Sequence, residues 1–521
     1  MKTHILNAVV LVVHIQIRGW FHEIQEEKEK PLNISDITII DDGKLKKAIT
    51  AASLGNAMEW FDFGVYGFLA YVLGQVFFPD ASPSVQMIAA LATFSVPFLV
   101  RPLGGVVFGI LGDKYGRQKV LSMTIIIMAV STFCIGLIPA YETIGIWAPI
   151  LLLIAKLAQG FSVGGEYSGA AIFVAEYSPD RKRGFMGSWL DFGSIAGFVL
   201  GAGVVVLISS IVGEANFHDW GWRIPFFLAL PLGIIGLYLR HSLEETPAFQ
   251  QHIESLEQQD KANIQDPPKV SVREVASKYW KSLLICVGLV IATNVTYYML
   301  LTYMPSYLSH NLNYSTDHGV LIIIAIMIGM LFVQPIIGLT SDKIGRRPFV
   351  ITGSVGLILL AYPAFMLINS GSVGLIFLGL LILAVLLNCF TGVMASILPA
   401  IFPTNIRYSA LAIAFNISVL IAGATPTVAA WLVESTTDLY MPAYYLIVIA
   451  LIGLYTGIRM PETANKPLRG ATPAASDKAE AKEILSEHFD NIEQRVEDID
   501  QEIAELEKKR QSLINQHPKL D

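Results

Sequence analysis

The sequence predicts an all-α membrane protein, with twelve transmembrane helices in two six-helix halves followed by a C-terminal cytoplasmic coiled coil. Three observations carry this reading. The 521-residue chain is 53% apolar and only 15% charged, with a mean hydropathy of +0.55, where soluble domains carry about 25% charged residues. One glycine- and charge-bearing loop pattern occurs twice, 229 residues apart. The last part of the chain is acidic and repeats its apolar residues at alternating steps of four and three. A formal charge of −7 argues against a nucleic-acid binder. The three cysteines (Cys134, Cys286, Cys389) all lie in apolar runs, which argues against a disulfide scaffold.

A helix needs about 20 mainly apolar residues to cross a bilayer. Twelve stretches qualify: 49–78, 85–111, 120–139, 147–173, 185–211, 223–240, 282–308, 319–339, 349–369, 374–401, 409–433 and 442–459. Four connections carry cations, namely Lys114, Arg117 and Lys119; Arg181, Lys182 and Arg183; Lys343, Arg346 and Arg347; and Arg407. The alternate connections, 79–84, 140–146, 213–222, 309–318, 369–372 and 434–441, contain no Lys or Arg. This asymmetry predicts both termini, and the charged loop 241–281, on the cytoplasmic side. The expected organisation is a cytoplasmic segment (1–48), a first helical half (49–240), the central loop, a second half (282–459), a linker (460–484) and a coiled coil (485–516). The apolar stretch 5–17 is short and interrupted by His14 and Gln16, so it reads as an interfacial or unstructured extension.

The repeat is the most specific signal. Gly109-Ile-Leu-Gly-Asp113-Lys-Tyr-Gly-Arg117 follows span two, and Gly338-Leu-Thr-Ser-Asp342-Lys-Ile-Gly-Arg346 follows span eight. Two parallel halves with a midplane site are a recurrent transporter plan. Positive-inside bias accounts for the cations but not for the fixed Gly and Asp. Glycines permit close helix approach, and the carboxylates can accept bonds at a helix start. A second echo joins Pro179–Gly184 to Pro403–Tyr408.

These paired loops resemble the major facilitator superfamily. Gly221-Trp-Arg-Ile-Pro-Phe226, Leu243-Glu-Glu-Thr-Pro247 and Pro461-Glu-Thr463 are similar to its metabolite:proton symporter branch, from about Ile37 onward. Together with the C-terminal coil, the resemblance implies an osmosensory member of that branch. It would import zwitterionic osmolytes such as proline, glycine betaine and ectoine with protons, and be activated by high osmolality. No cofactor is implied beyond the proton gradient, and no enzyme activity. The implied location is a bacterial inner membrane.

Ionisable residues at span centres are costly and therefore functional candidates. Glu59 and Asp62 are three apart on span one and share a face, where one charge can make the other easier to protonate; alternatively one or both hold fixed ion pairs with Arg101 or Lys156. Arg101 can bind a substrate carboxylate, pair structurally, or reach toward the interface. Lys156-Leu-Ala-Gln159-Gly160 resembles the superfamily's R-x2-Q-G motif with Lys for Arg, which removes the planar fork. Glu166 faces either the cavity or its cytoplasmic mouth. Asp191 has a transport or a structural role, beside Gly193, Gly197 and Gly201, whose spacing predicts a tightly packed face.

A zwitterion's quaternary ammonium favours aromatic faces. Trp60, Phe63 and Tyr66 on span one, with Tyr297, Tyr298 and Tyr303 on span seven, supply them from both halves, and Asn294 adds a polar group. Pro97, Pro305, Pro335 and Pro426 are candidate bending points. In the tail, Leu485, Phe489, Ile492, Val496, Ile499, Ile503, Leu506, Arg510 and Leu513 form a heptad seam, with Arg510 in a position that specifies register. The expected partners are a second copy through this coil, anionic lipid, protons and small zwitterions. Two rival readings remain at this level: a symporter for sugars or organic anions, and a membrane osmosensor that transports nothing.

Overall fold

A computed structural model describes residues 32–115, 117–241, 277–312, 316–404 and 406–490, with 503 and 508, and leaves out the side chains at 109–110, 112–121, 239–241 and 316–318. Most of residues 1–48, the central loop 242–276 and the seam positions Ile492, Val496, Ile499, Leu506, Arg510 and Leu513 lie outside the described residues, as do the surroundings of Gly109 and the side chains of Asp113 and Arg117. Two compact units are distinguished, 40–476 and a second formed by 1–39 with 477–521. In the second, residues 478–490 are helical and Ile503 is exposed.

Within 40–476 the first half comprises α1 (Asp42–Phe77), α2 (Pro83–Tyr115), α3 (Arg117–Leu137), α4 (Trp147–Val163), α5 (Glu166–Glu176), α6 (Arg183–Val212) and α7 (Ala229–His241). The second comprises α8 (Trp280–Tyr297), α9 (Thr316–Ile344), α10 (Arg347–Ile368), α11 (Val373–Ile397), α12 (Arg407–Ala422), α13 (Thr425–Thr436) and α14 (Met441–Arg459). Ten described segments are long and apolar enough to cross a membrane. The other two expected spans are α1 and α3, both helical. The 36-residue α1 carries Glu59 and Asp62 within its apolar run, and the described apolar side chains of α3 cover Ser122–Leu137. Helix α1 also begins earlier than position 49, because the Asp41 carboxylate accepts the Lys44 N–H at 2.8 Å and caps it.

Several described spans are not uniform α-helices. Span four divides into α4 and α5 at Gly164-Gly165, and span eleven into α12 and α13 at Gly423-Ala424. Span seven continues from α8 through π-helical turns at Tyr298–Tyr303 and Tyr307–Asn311, with Pro305 between them. Such wide turns recur at functional sites. Pro97 and Pro335 lie inside α2 and α9, while Pro426 starts α13.

The expected glycine face packs on α1. A Cβ at Gly193 would overlap the Ser53 carbonyl, and one at Gly197 the Ala57 carbonyl. The halves meet where α6 lies against α9 and α11, and where α2 lies against α12 and α13. Large apolar side chains such as Leu99, Leu103 and Phe332 point outward at 62%, 63% and 72% exposure, as lipid contact requires.

Candidate functional site

The carboxylates of α1 do not share one site. Glu59 accepts from Arg101 Nη2 of α2 at 2.9 Å, and both side chains are buried. The side chain of Arg101 therefore runs inward, not toward the interface. Asp62 Oδ2 instead accepts from Thr132 Oγ1 of α3 at 2.6 Å and from Gln159 Nε2 of α4 at 3.4 Å. The expected mutual coupling of Glu59 and Asp62 gives way to two separate networks, because α2 approaches one side of the turn and α3 with α4 the other.

Lys156 reaches Asp62 through Gln159. Its Nζ donates to Gln159 Oε1 at 2.9 Å, and the Gln159 amide donates to Thr132 Oγ1 at 2.9 Å. The ammonium lies 3.9 Å from the centre of the Tyr66 ring and 5.9 Å from that of Phe63. A buried cation held by an amide oxygen and two ring faces can receive an additional anion. Glu166 starts α5 after the Gly164-Gly165 break and is 2% exposed. Asp191 accepts from Tyr167 Oη at 3.1 Å with both oxygens, and the Tyr167 ring stacks on Phe415 of α12 at 4.7 Å. Asp191 thus sits one side chain from the second half.

The aromatic groups converge across the halves. The Trp60 ring lies 4.8 Å from Tyr297, 6.0 Å from Tyr298, 5.6 Å from Phe63 and 5.5 Å from Phe198. Phe94 and Phe98 of α2 extend the cluster to Tyr298. Trp60 Nε1 and Tyr297 Oη are buried here without a hydrogen-bond partner, and an orphaned buried donor costs about 1–3 kcal/mol unless a ligand or water satisfies it. Tyr66 lies to one side, under Lys156, with its hydroxyl on the Ala90 carbonyl at 3.2 Å. Two expected members fall elsewhere. Asn294 turns back to the Val290 carbonyl of its own helix at 3.1 Å. Tyr303, farther along span seven, lies with its ring 5.7 Å from that of Tyr307 and lines a small cavity with Ser84, His310 and Glu434.

At the end of the molecule bearing the repeated loops, the second half grips the first. Asp342 Oδ1 and Oδ2 accept the Gly184 and Phe185 N–H groups at the start of α6, at 2.7 and 2.8 Å. Arg346 lies 3.4 Å from Asp342. A Cβ at Gly184 would meet Asp342, Ser341 and the Gly338 carbonyl, so glycine at 184 and 338 permits the approach. Arg407 of α12 pairs with Glu176 of α5 at 3.0 Å.

Residues 461–475, read from sequence as part of a linker, are bonded into this network. Glu462 accepts the N–H groups of Arg346, Arg347, Thr463 and Ala464. Arg183 donates to the Lys466 carbonyl, Arg407 to that of Arg469, and Ala474 N–H donates to Asp180. Arg183 also pairs with Asp180. Burial pushes the Glu462 carboxyl up, but its four N–H bonds outweigh this and hold it below the ordinary value. Burial and the charge of Arg183 bring Arg346 down to about 10, against the pull of Asp342 and Glu462.

Sequence reasoning missed Thr132, Phe94, Phe98, Phe198 and Tyr167. The four-residue spacing of Phe94 and Phe98 marked a common face, but a lone threonine or tyrosine in an apolar span carries no signal without its neighbour.

Two six-helix halves, joined at one end and enclosing buried charges and orphaned donors between them, define a multi-pass membrane transporter. Residues 47–475 match the model of the family "Sugar (and other) transporter", and the chain belongs to that family. Residues 476–521 match the model "Osmosensory transporter coiled coil". The chain is 78% identical over 498 residues to the "Proline/betaine transporter" of Escherichia coli (strain K12), covering 96% of this chain and 100% of that protein. It is 76% identical over 499 residues to the "Glycine betaine/proline/ectoine/pipecolic acid transporter OusA" of Dickeya dadantii (strain 3937), with the same coverage. Among solved structures, the proton:xylose symporter XylE bound to 6-bromo-6-deoxy-D-glucose superposes with a TM-score of 0.67 at 21% identity, covering 82% of this chain and 98% of that one. The fold is therefore that of the major facilitator superfamily.

Proposed function

We propose that this protein is a proton symporter that imports small zwitterionic osmolytes, proline, glycine betaine and ectoine among them, and is activated by high osmolality. The observation that carries the reading is the buried ring cluster of Trp60, Phe198, Tyr297 and Tyr298, drawn from both halves and holding an unpartnered indole N–H and phenol O–H. Ring faces suit a quaternary or secondary ammonium. The two donors, with Lys156 one ring away past Phe63, suit a carboxylate. The names of the relatives support the same substrates.

Asp62 is the proposed proton carrier, because Glu59 is held by Arg101. Protonating Asp62 frees Lys156 electrostatically to hold the substrate carboxylate, so the loaded, protonated form is favoured. Proton loss to the cytoplasm then weakens substrate binding. No cofactor is needed, since the proton gradient supplies the work. The location is the bacterial inner membrane with both termini cytoplasmic, in keeping with the cation distribution among the loops. The joined end is then the cytoplasmic gate, and the C-terminal coil pairs two copies and sets the osmotic threshold.

The test is uptake of labelled proline, betaine and xylose into proteoliposomes, with and without a pH gradient and an osmotic upshift. Gradient-driven accumulation of proline and betaine, but not xylose, is expected. Its absence sinks the symporter reading, and xylose uptake would favour a sugar symporter. Asp62→Asn should abolish proton-driven accumulation more than substrate exchange; normal accumulation would remove Asp62 from the proton path. Truncation after Ser476 should shift the osmolality of half-activation, and an unchanged threshold with unchanged oligomeric state would exclude the role given to the coil.

A further inference from the structure

Thr132 Oγ1 of α3 has three polar neighbours: Asp62 Oδ2 at 2.6 Å, Gln159 Nε2 at 2.9 Å and the Met128 carbonyl at 3.0 Å. The orientation of the Gln159 amide follows from Lys156, whose ammonium has only hydrogens to offer and so takes the amide oxygen. The NH2 end therefore faces Thr132 and occupies one of its lone pairs. A hydroxyl carries one hydrogen, and two acceptors compete for it: the Asp62 carboxylate and the Met128 carbonyl.

We propose that Thr132 is a positioning residue for proton coupling, its hydroxyl hydrogen turning between Asp62 and the Met128 carbonyl as Asp62 loses and gains its proton. This rests on Asp62 as the proton carrier. When Asp62 is anionic, the hydrogen goes to the carboxylate, a charge-assisted bond whose 2.6 Å length fits O–H···O⁻ geometry. When Asp62 takes a proton from water, its new O–H donates to the free lone pair of Thr132. The Thr132 hydrogen then turns to Met128, the carbonyl four residues back on the same helix. The threonine keeps its own hydrogen throughout, and neither state leaves a buried donor or acceptor empty. Serine can do the same; valine, of similar shape, can do neither. The charged groups whose fields reach Asp62 are Lys156 of α4 and Glu166 of α5, while Glu59 on α1 is paired with Arg101 of α2.

The experiment is the initial rate of gradient-driven proline uptake against pH in proteoliposomes, for the unsubstituted protein and for Thr132→Ser, Thr132→Val, Thr132→Ala and Asp62→Asn. The midpoint is read from relative rates, so it does not depend on yield, and Thr132→Ala carries the test where the valine variant does not fold. Without the hydroxyl the anion loses its short donor and the proton is held to higher pH. The midpoint should move alkaline by about one unit in Thr132→Val and Thr132→Ala, while Thr132→Ser keeps the original midpoint. A midpoint unmoved in Thr132→Val and Thr132→Ala, or one moved equally in Thr132→Ser, overturns the proposal even where rates fall. If those variants keep the original midpoint while Asp62→Asn loses accumulation, only the role of Thr132 fails. If Asp62→Asn still accumulates proline, the proton-carrier reading fails with it.

Discussion

Glu59 and Asp62 stand one helical turn apart on α1, and the groups around them give them different chemistry. Glu59 is half of a buried ion pair with Arg101 at 2.9 Å. Removing one partner of such a pair strands the other charge, at a cost of about 3–5 kcal/mol, whereas replacing both with neutral groups costs much less. Glu59→Gln should therefore lower the detergent-solubilised melting temperature clearly, and Glu59→Gln combined with Arg101→Met should recover most of the loss. Equal melting of the single and double variants would deny the pair its structural role. The sequence marked all four ionisable residues Glu59, Asp62, Arg101 and Lys156 as intramembrane charges. It could not assign partners, because pairing depends on which of α2, α3 and α4 approaches each face of α1.

The helices obey patterns visible in one dimension. Apolar runs of bilayer length and the glycine spacing at 193, 197 and 201 correspond to spans and a packed face, while the break at Gly164-Gly165 falls inside what reads as one span. Along that face, Gly197 meets the α1 backbone, while a Cβ at Gly203 of the same helix would meet nothing within 4 Å. Gly197→Val should force α6 off α1 and reduce the folded, monodisperse yield, an overpacking cost of at least about 1–3 kcal/mol. Gly203→Ala should be neutral or stabilising by about 0.5–1 kcal/mol, since only the helix preference changes. Similar thermal stability for both variants would contradict the packing. The π-helical turns of span seven had no such pattern. They place Tyr298 and Tyr303 at the two ends of the first wide turn, so the sequence grouped rings that the backbone separates.

At the scale of the whole unit, the second loop repeat and the echo loops at Arg183 and Arg407 are joined by a third participant, the strap 461–475. Glu462 ties it to the Arg346–Arg347 turn, and its carboxyl sits below the ordinary value. A carboxylate depressed in the folded state contributes stability that is present above its unfolded value, about 4.3 for Glu, and lost as pH falls through the folded one. The strap is thus held at neutral pH and loosens only in acid. Glu462→Gln should loosen it at pH 7, read as faster thiol modification at the buried position 475 when Ala475→Cys is present in each background. An unchanged rate would mean that Glu462 does not hold the strap.

Hydropathy, cation placement, the duplicated Gly-Asp-Arg loop and the heptad seam are local or periodic, so the sequence by itself determined a two-half helical transporter with a coiled tail. Those properties survive without coordinates because each depends on residues within a few turns of one another. Partner choice for Glu59 and Asp62, the ring cluster across the halves, the place of Thr132 and the docking of 461–475 all join residues far apart in the chain. Only the tertiary structure decides them, because hydrogen bonds and ring contacts act over a few ångströms, and that proximity is set by how the helices pack.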